Sequence, residues 1–247
     1  MTNTFPLPKC IRRLQQLPLH GDESIVDGGC GTGQFAAMLL ELMPASRVIC
    51  IDISERMLAA ASVRLLPRFS GRVQLLCADL LDVELTSCAD VFFTVGALHW
   101  IKDQTRLFAR IYRLLRPGGW LVGECGAGAD SGVLRQFART HGLDSLLVEQ
   151  WSDPWPYPSP GATTQALQAA GFLNVEAIRC EAAITSGAKD RYEEYRFILE
   201  SDERLQSAVR ERSRLQYPTE FGVAVGSDSE LQLAYTRLEL RAQKPDS

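Results

Sequence analysis

No stretch of roughly 18 apolar residues occurs in the chain, so the sequence offers no segment to span a membrane. Met1 to Lys9 lacks the basic, apolar and small-residue order of a signal peptide, and a cytoplasmic location is the expectation. No cysteine stands in a C-x-x-C pair. The seven cysteines are an odd number, and Cys50, Cys77, Cys125 and Cys180 lie in apolar, strand-like segments. Reduced, buried thiols are therefore expected rather than disulfides or zinc ligands. No His/Asp/Glu cluster has metal-ligand spacing, so no metal is expected. Basic residues are scattered rather than gathered into a stripe, and the formal net charge is −4, which counts against a nucleic-acid partner. Internal repeats and low-complexity tracts are also missing.

What is present is an ordinary globular composition: 247 residues, 46% hydrophobic and 23% charged, enough for one domain with a sizeable core and an insertion. From about residue 24 to 126, short apolar runs alternate with helical patterns, as stacked βαβ units require. Ser24 to Asp27 reads as a first strand. Phe35, Met38, Leu39, Leu42 and Met43 repeat at helical spacing up to Pro44. Arg47 to Asp52 reads as a second strand, and Ser54 as the cap of a helix carrying Met57, Leu58, Ala61 and Leu65. Val73 to Ala78 and Asp90 to Val95 follow as strands. A helix places Leu107, Ile111, Leu114 and Leu115 on one face, and Pro117-Gly118-Gly119 turns the chain into Trp120 to Cys125.

Past Gly126 the alternation stops. A helix is expected at Thr163 to Ala170, a strand at Asn174 to Cys180, a charged helical segment at Ala188 to Gln216, and a last strand at Leu233 to Ala242. The expected architecture is α/β: a doubly wound, mostly parallel seven-stranded sheet with helices on both faces. Residues 1–247 are read as a single domain, with 127–160 and 185–229 as helical lid insertions.

The strongest chemical signal is Asp27-Gly28-Gly29-Cys30-Gly31-Thr32-Gly33, a strand running into glycines and then a helix. Open α/β sheets bind ligands beyond the carboxyl ends of their strands, and glycines let the backbone come close to them. A dinucleotide loop needs a small residue at position 34, which is Gln, so a phosphate-free nucleoside fits better. Asp52, at the end of the second strand, is placed to accept ribose hydroxyls. Asp79, after the third, is placed to accept an adenine amino group, with Leu80 and Ile53 as apolar walls. Each aspartate alone reads equally as a cap or turn residue. Three acids at successive strand ends are harder to read as coincidence.

With these residues the chain resembles the class I S-adenosylmethionine (SAM)-dependent methyltransferases, a Rossmann-like fold, over nearly its whole length. The Asp27–Gly33 loop resembles the family's first motif, Asp52 and Asp79 its ribose and adenine acids, and Leu115-Arg116-Pro117-Gly118-Gly119 its turn before strand five. Gly28 departs from the family, which usually has a branched apolar residue there. The resemblance implies SAM as cofactor, S-adenosylhomocysteine as product, and a contact set of Asp27, Gly28, Gly29, Cys30, Gly31, Gly33, Asp52, Ile53, Met57, Ala78, Asp79, Leu80 and Val95.

Val95-Gly96-Ala97-Leu98-His99-Trp100-Ile101-Lys102-Asp103 resembles a narrower group: the trans-aconitate, malonyl-carrier-protein and juvenile hormone acid methyltransferases. Pro156 to Pro160, Ala170-Gly171-Phe172 and Leu215 to Pro218 look like the same group's lid and tail. The group implies a small-molecule acceptor, with O-methylation of a carboxylate favoured and Trp100 and His99 as catalytic candidates. Trp100 reads either as a substrate contact through its indole N–H or as core; His99 reads first as packing. A carbon or hydroxyl acceptor on the same scaffold, or a SAM-binding cyclase, is the alternative; a hydroxyl or carbon acid would need a base from among His99, His141, Glu124 and Tyr157. Trp151, Trp155, Tyr157 and Phe172 suggest an aromatic lid, with plain packing equally open. No nucleic acid or membrane partner is expected, and the chain is expected to be a monomer or homodimer. Only a short helix, within Pro6 to Leu17, is expected ahead of the first strand.

Overall fold

The computed structural model describes residues 8–126, 159–186 and 231–246. The chain divides into two compact units. The first holds Met1–Ala127, Trp155–Cys180 and Arg237–Ser247, and the second Gly128–Pro154 and Glu181–Thr236. Nearly all of the second unit, and with it the bodies of the two expected lid insertions, lies outside the described residues.

The described elements run α1 (Lys9–Leu14), β1 (Ser24–Gly28), α2 (Gln34–Leu42), β2 (Arg47–Asp52), α3 (Glu55–Phe69), β3 (Val73–Cys77), β4 (Ala89–Val95), a single 3-10 turn (Leu98–Trp100), α4 (Gln104–Leu114), β5 (Leu115–Gly126), α5 (Pro160–Ala169), β6 (Leu173–Ser186) and β7 (Leu231–Gln243). They build a seven-stranded sheet in the order β3-β2-β1-β4-β5-β7-β6. β1 pairs in parallel with β2 and β4, β2 with β3, and β4 with β5, while β7 runs antiparallel to β5.

Alternate strand residues supply the two faces, because successive side chains leave a strand in opposite directions. Ile25, Val48, Cys50, Val91, Phe93 and Val122 are buried with Ile11 and Leu14 of α1, Leu39 and Leu40 of α2, and Leu58 and Leu65 of α3. Val26, Ile51, Phe92, Leu121, Leu238 and Leu240 are buried on the other face with Leu107, Phe108 and Ile111 of α4 and Leu167 of α5. Both faces are covered, as a parallel sheet demands.

Local signals set the helix starts. Ser54 Oγ accepts the Met57 N–H (3.3 Å), Asp103 that of Arg106 (2.9 Å) and Ser159 that of Ala162 (3.2 Å), each cap contributing about 1 kcal/mol. Ser159 also shows why α5 begins at Pro160, ahead of the Thr163 expected. Proline's fixed φ suits the first helical position, and the Ser-Pro pair is a start signal rather than the tail of a proline-rich run.

The Pro117-Gly118-Gly119 turn also takes a different form. Pairing begins at Leu115, opposite Ala89, and resumes at Trp120, opposite Val91. Arg116 to Gly119 therefore bulge away from β4, with Gly118 at φ 75°, while the Gly118 N–H donates to the Pro245 carbonyl (3.0 Å) and the Gly119 carbonyl accepts the Lys244 N–H (2.8 Å). Leu115 belongs to β5, not to the helix before it. Among the described residues no helix is long and apolar enough to cross a membrane.

Candidate active site

β1 and β4 lie side by side although two strands and two helices separate them in sequence, so the strand order reverses between them. Such a reversal opens a crevice at the carboxyl end of the sheet, the usual ligand site of open α/β folds. The loop after β1 and the loop after β4 flank that crevice.

The first loop is shaped by backbone rather than side chains. Gly29, Gly31 and Gly33 take positive φ of 72°, 53° and 73°. A Cβ at Gly29 would stand less than 3.0 Å from the Cβ of Ala97, so the two loops meet face to face at that point and nothing larger than hydrogen fits. The Gly29 and Cys30 N–H groups both donate to the Ile51 carbonyl (2.8 and 3.1 Å), and Thr94 Oγ1 donates to the Gly28 carbonyl (2.8 Å). The Cys30 thiol is buried beneath the loop, where a hydrogen bond with the Cys50 thiol and burial both raise its pKa.

Asp52 is the joint between three elements. Its Oδ2 accepts the Gly31 N–H of the glycine loop (2.9 Å), and its Oδ1 accepts the Ser54 N–H at the start of α3 (2.9 Å). Its backbone carbonyl accepts the Ala78 N–H beyond β3 (3.1 Å). Each carboxylate oxygen has a second lone pair for a ligand hydroxyl. Asp79 lies two residues past the end of β3, in a turn: its Oδ1 accepts the Leu81 N–H (2.8 Å) and its carbonyl those of Asp82 and Val83 (both 3.0 Å). Ile53 is 70% exposed on the rim, whereas Leu80 is 7% exposed within the core beneath. Met57, Ala78 and Val95 are partly buried.

Asp27 differs from the other two acids. It is 2% exposed, and its Oδ2 has no hydrogen-bond partner among the described residues. Burial, and then the nearby Asp52 carboxylate, push its pKa up to about 7.

At the end of β4 the parallel ladder is spliced by side chains. The Gly96 N–H donates to the Glu124 carbonyl (2.8 Å) in the regular pattern. The next bond of a parallel pair would run from the Gly126 N–H to the Gly96 carbonyl. Instead the Gly126 N–H donates to His99 Nδ1 (3.4 Å), and the Trp100 indole N–H donates to the Gly96 carbonyl (3.1 Å). The 3-10 turn thus fills the gap between two diverging strand ends, with the rings of His99 and Trp100 5.5 Å apart. With Nδ1 accepting, the ring proton sits on Nε2, and burial lowers the His99 pKa to about 4.

Of the other base candidates, Glu124 points to the α1 face of the sheet. Burial raises its pKa against the pull of Arg237, whose guanidinium lies 3.6 Å away. Arg237 also binds Glu239 (3.1 Å), which binds Arg13 of α1 (2.8 Å), so Glu124 belongs to an ion network under the N-terminal helix. His141 and Tyr157 lie outside the described residues, as do Trp151 and Trp155. Phe172 is no lid residue: it is 2% exposed and packs edge-on against Tyr112 with centroids 5.2 Å apart. Among the described residues no group of three or more His, Cys, Asp or Glu has a metal-holding arrangement.

The structure thus gathers Asp27, Asp52, Asp79 and the glycine loop at one end of the sheet, with His99 and Trp100 across the crevice. Ala97 and Thr94, which brace the glycine loop from the β4 side, were not legible as partners. Their signal is positional only: small residues at the end of the strand that neighbours β1.

A glycine loop at a switch point, followed by Asp52 and Asp79 at and beyond the next two strand ends, is the arrangement expected of a class I SAM-dependent methyltransferase domain. Residues 26–123 match the family described as Methyltransferase domain. Trans-aconitate 2-methyltransferase of Acidovorax sp. (strain JS42) is 42% identical over 121 residues, 49% of this chain and 43% of that protein. The enzyme of the same name from Deinococcus radiodurans is 30% identical over 188 residues, 68% of this chain and 65% of its own length. Malonyl-[acyl-carrier protein] O-methyltransferase of Marinomonas sp. (strain MWYL1) is 36% identical over 115 residues, 45% of this chain and 41% of that protein. The chain thus spans roughly two fifths to two thirds of these relatives. Among solved structures, a phosphoethanolamine N-methyltransferase of Haemonchus contortus in complex with SAM superposes with a TM-score of 0.60. It is 21% identical, with 96% of this chain and 52% of that one covered, a likeness of fold.

The residues fit the cofactor of the class. Asp52 and Asp79 offer acceptors to ribose and adenine, the loop's glycines leave room for close approach, and Asp27 keeps a buried carboxyl oxygen without a hydrogen-bond partner among the described residues.

Proposed function

We propose that the chain is a SAM-dependent methyltransferase that O-methylates a small-molecule carboxylate. The observation that carries this reading is the state of His99. Its Nδ1 is taken by the Gly126 N–H and its pKa is lowered to about 4, so at neutral pH it is a poor proton acceptor. A hydroxyl or carbon acid must lose a proton as it attacks and needs an accessible base matched to neutral pH, whereas Asp27, whose pKa lies in that range, is 2% exposed with its Oδ2 buried. A carboxylate is already ionised and needs alignment and removal from water instead. A neutral imidazole and an indole N–H beside the crevice suit the second task. The names of the relatives agree, since trans-aconitate and the malonyl group are both carboxylic acids.

Bound SAM supplies an electrophilic methyl group on sulfonium. For the protein's own part, Asp52 and Asp79 hold the nucleoside. Trp100 and His99 stand across the crevice as N–H donors for the acceptor. Trp100 exchanges its bond to the Gly96 carbonyl for one to a carboxylate oxygen, while the other oxygen faces the methyl group.

The test is transfer of labelled methyl from SAM to a panel of di- and tricarboxylic acids, malonyl thioesters, phenols, amines and nucleic acids. The expected product is formed from an acid and releases methanol in mild alkali, as a methyl ester does. An alkali-stable product from a phenol, amine or carbon acid would overturn the carboxylate assignment.

A further inference from the structure

The most unusual group at the glycine-loop end of the sheet is Asp27, one of whose carboxyl oxygens is buried without a partner among the described residues. Ile25 and Phe93 are buried on the same face, and Cys50 is its register partner on β2. The Cys30 thiol lies below the loop that follows. The charged group acting on Asp27 is another carboxylate, Asp52. Asp52 spends its own charge on the N–H groups of Gly31 and Ser54, and neither of those donors is shared with Asp27. One oxygen of Asp27, Oδ2, is thus sealed from solvent and accepts no hydrogen bond from the described residues.

A buried carboxylate without donor or cation is costly, and it escapes the cost by holding a proton or by meeting a cation. We infer that Asp27 does both in turn: it is a carboxylic acid in the free protein and a carboxylate when SAM is bound, so that cofactor binding expels a proton. This deepens the SAM reading above and rests on it. The exchange balances simply. The Asp27 O–H bond breaks heterolytically, its electron pair stays on oxygen opposite the cationic cofactor, and the proton passes to buffer. Raised to about 7, the Asp27 pKa puts the exchange in the neutral range. SAM affinity then rises with pH there, by about fivefold from pH 6 to pH 7 if the bound carboxyl stays ionised.

Calorimetry of SAM binding at pH 6.5, in phosphate, PIPES and imidazole buffers, counts the protons released, since the apparent enthalpy then varies with buffer ionisation enthalpy. About three quarters of a proton per SAM is expected from the wild type. No buffer dependence is expected from Asp27→Asn, which keeps the shape but cannot titrate. Infrared difference spectra of the wild type need no variant: added SAM should remove a protonated carboxylic acid band and add a carboxylate band. SAM binding with a buffer-independent enthalpy and no carboxyl band change overturns the inference. So does an Asp27→Asn protein that still releases the proton. Failure of the wild type to bind SAM at all would instead overturn the cofactor reading, so the two failures are distinct.

Discussion

The ring of Phe92 occupies the space that a side chain at position 28 would need: a Cβ on Gly28 would stand less than 3.0 Å from Cζ and Cε1 of that ring. This accounts for a glycine where the family usually has a branched apolar residue, since bulk has moved from β1 to the neighbouring β4. Gly28→Val is expected to overpack the site, costing about 1–3 kcal/mol in denaturant unfolding. Phe92→Ala should cost about 3–5 kcal/mol through the cavity it opens. The double variant should cost clearly less than the sum of the two, because each change relieves the other. Additive losses would disprove the exchange of volume.

Asp52 joins the glycine loop, the start of α3 and the end of β3, so Asp52→Ala should act twice. Free of cofactor, the variant should lose about 1–3 kcal/mol of stability, as the Gly31 and Ser54 N–H groups lose a charged acceptor. SAM affinity should fall by at least about tenfold, since one charge-assisted hydrogen bond is worth that much. Unchanged affinity by calorimetry would remove Asp52 from the cofactor site.

His99 has a sign that can be read from stability. Its folded pKa, about 4, lies below the unfolded value of about 6.5. Between those values the unfolded chain binds the extra proton, so this group's contribution is present above pH 6.5 and lost as pH falls toward 4. The loss is on the order of 3 kcal/mol. His99→Asn keeps an acceptor near the Gly126 N–H but does not titrate, and should show a correspondingly flatter acid limb. An identical acid limb in wild type and variant would contradict the buried neutral ring.

Trp100→Phe keeps an aromatic six-membered ring and deletes the indole N–H. The Gly96 carbonyl then loses its donor, costing about 1 kcal/mol of stability. Turnover with an acid substrate should drop at least about tenfold, while SAM affinity moves little. Normal turnover would return Trp100 to a packing role.

Asp27 titrates with the opposite sign to His99. Its folded pKa, about 7, is above the unfolded value of about 3.9, so the folded state is the one that holds the proton. This contribution to stability is greatest in acid and is lost as pH rises through 7. Measured free of cofactor, Asp27→Asn should gain on the wild type by on the order of 2–3 kcal/mol between pH 5 and pH 8. Weaker SAM binding should accompany that gain, a trade-off common at functional sites. A stability difference that does not change with pH would mean that Asp27 is ionised throughout.

The order of elements was legible because βαβ units announce themselves by period: buried alternation at Ile25, Val48 and Phe93, helical spacing at Leu107 and Ile111. The positions of the glycine loop, Asp27 and Asp52 were legible because they sit at strand ends, which sequence spacing reveals, and Asp79 follows in the turn after β3. What stayed hidden depends on pairs distant in sequence. Nothing local in Gly28 says that Phe92 fills its place, and nothing in His99 says that its acceptor is the Gly126 amide. The Pro117-Gly118-Gly119 turn was visible, but not that Leu115 already pairs with Ala89 ahead of it. The fate of Phe172 was set by Tyr112, sixty residues earlier in the chain.

The strand order has a consequence for how the protein is made. β7 follows β6 in the chain yet lies between it and β5. The ribosome delivers the chain from its amino end, so β1 to β5 can pair, and the end of the sheet that carries the three acids can close, while synthesis continues. β6 emerges with no neighbour to join, and β5 keeps a bare flank until β7 slides in between. Through that interval two unpaired strand edges face the crowded cell, the surfaces most prone to join another chain. The end of the sheet that carries the three acids can thus close first, and the part synthesised last is what covers the waiting strand edges.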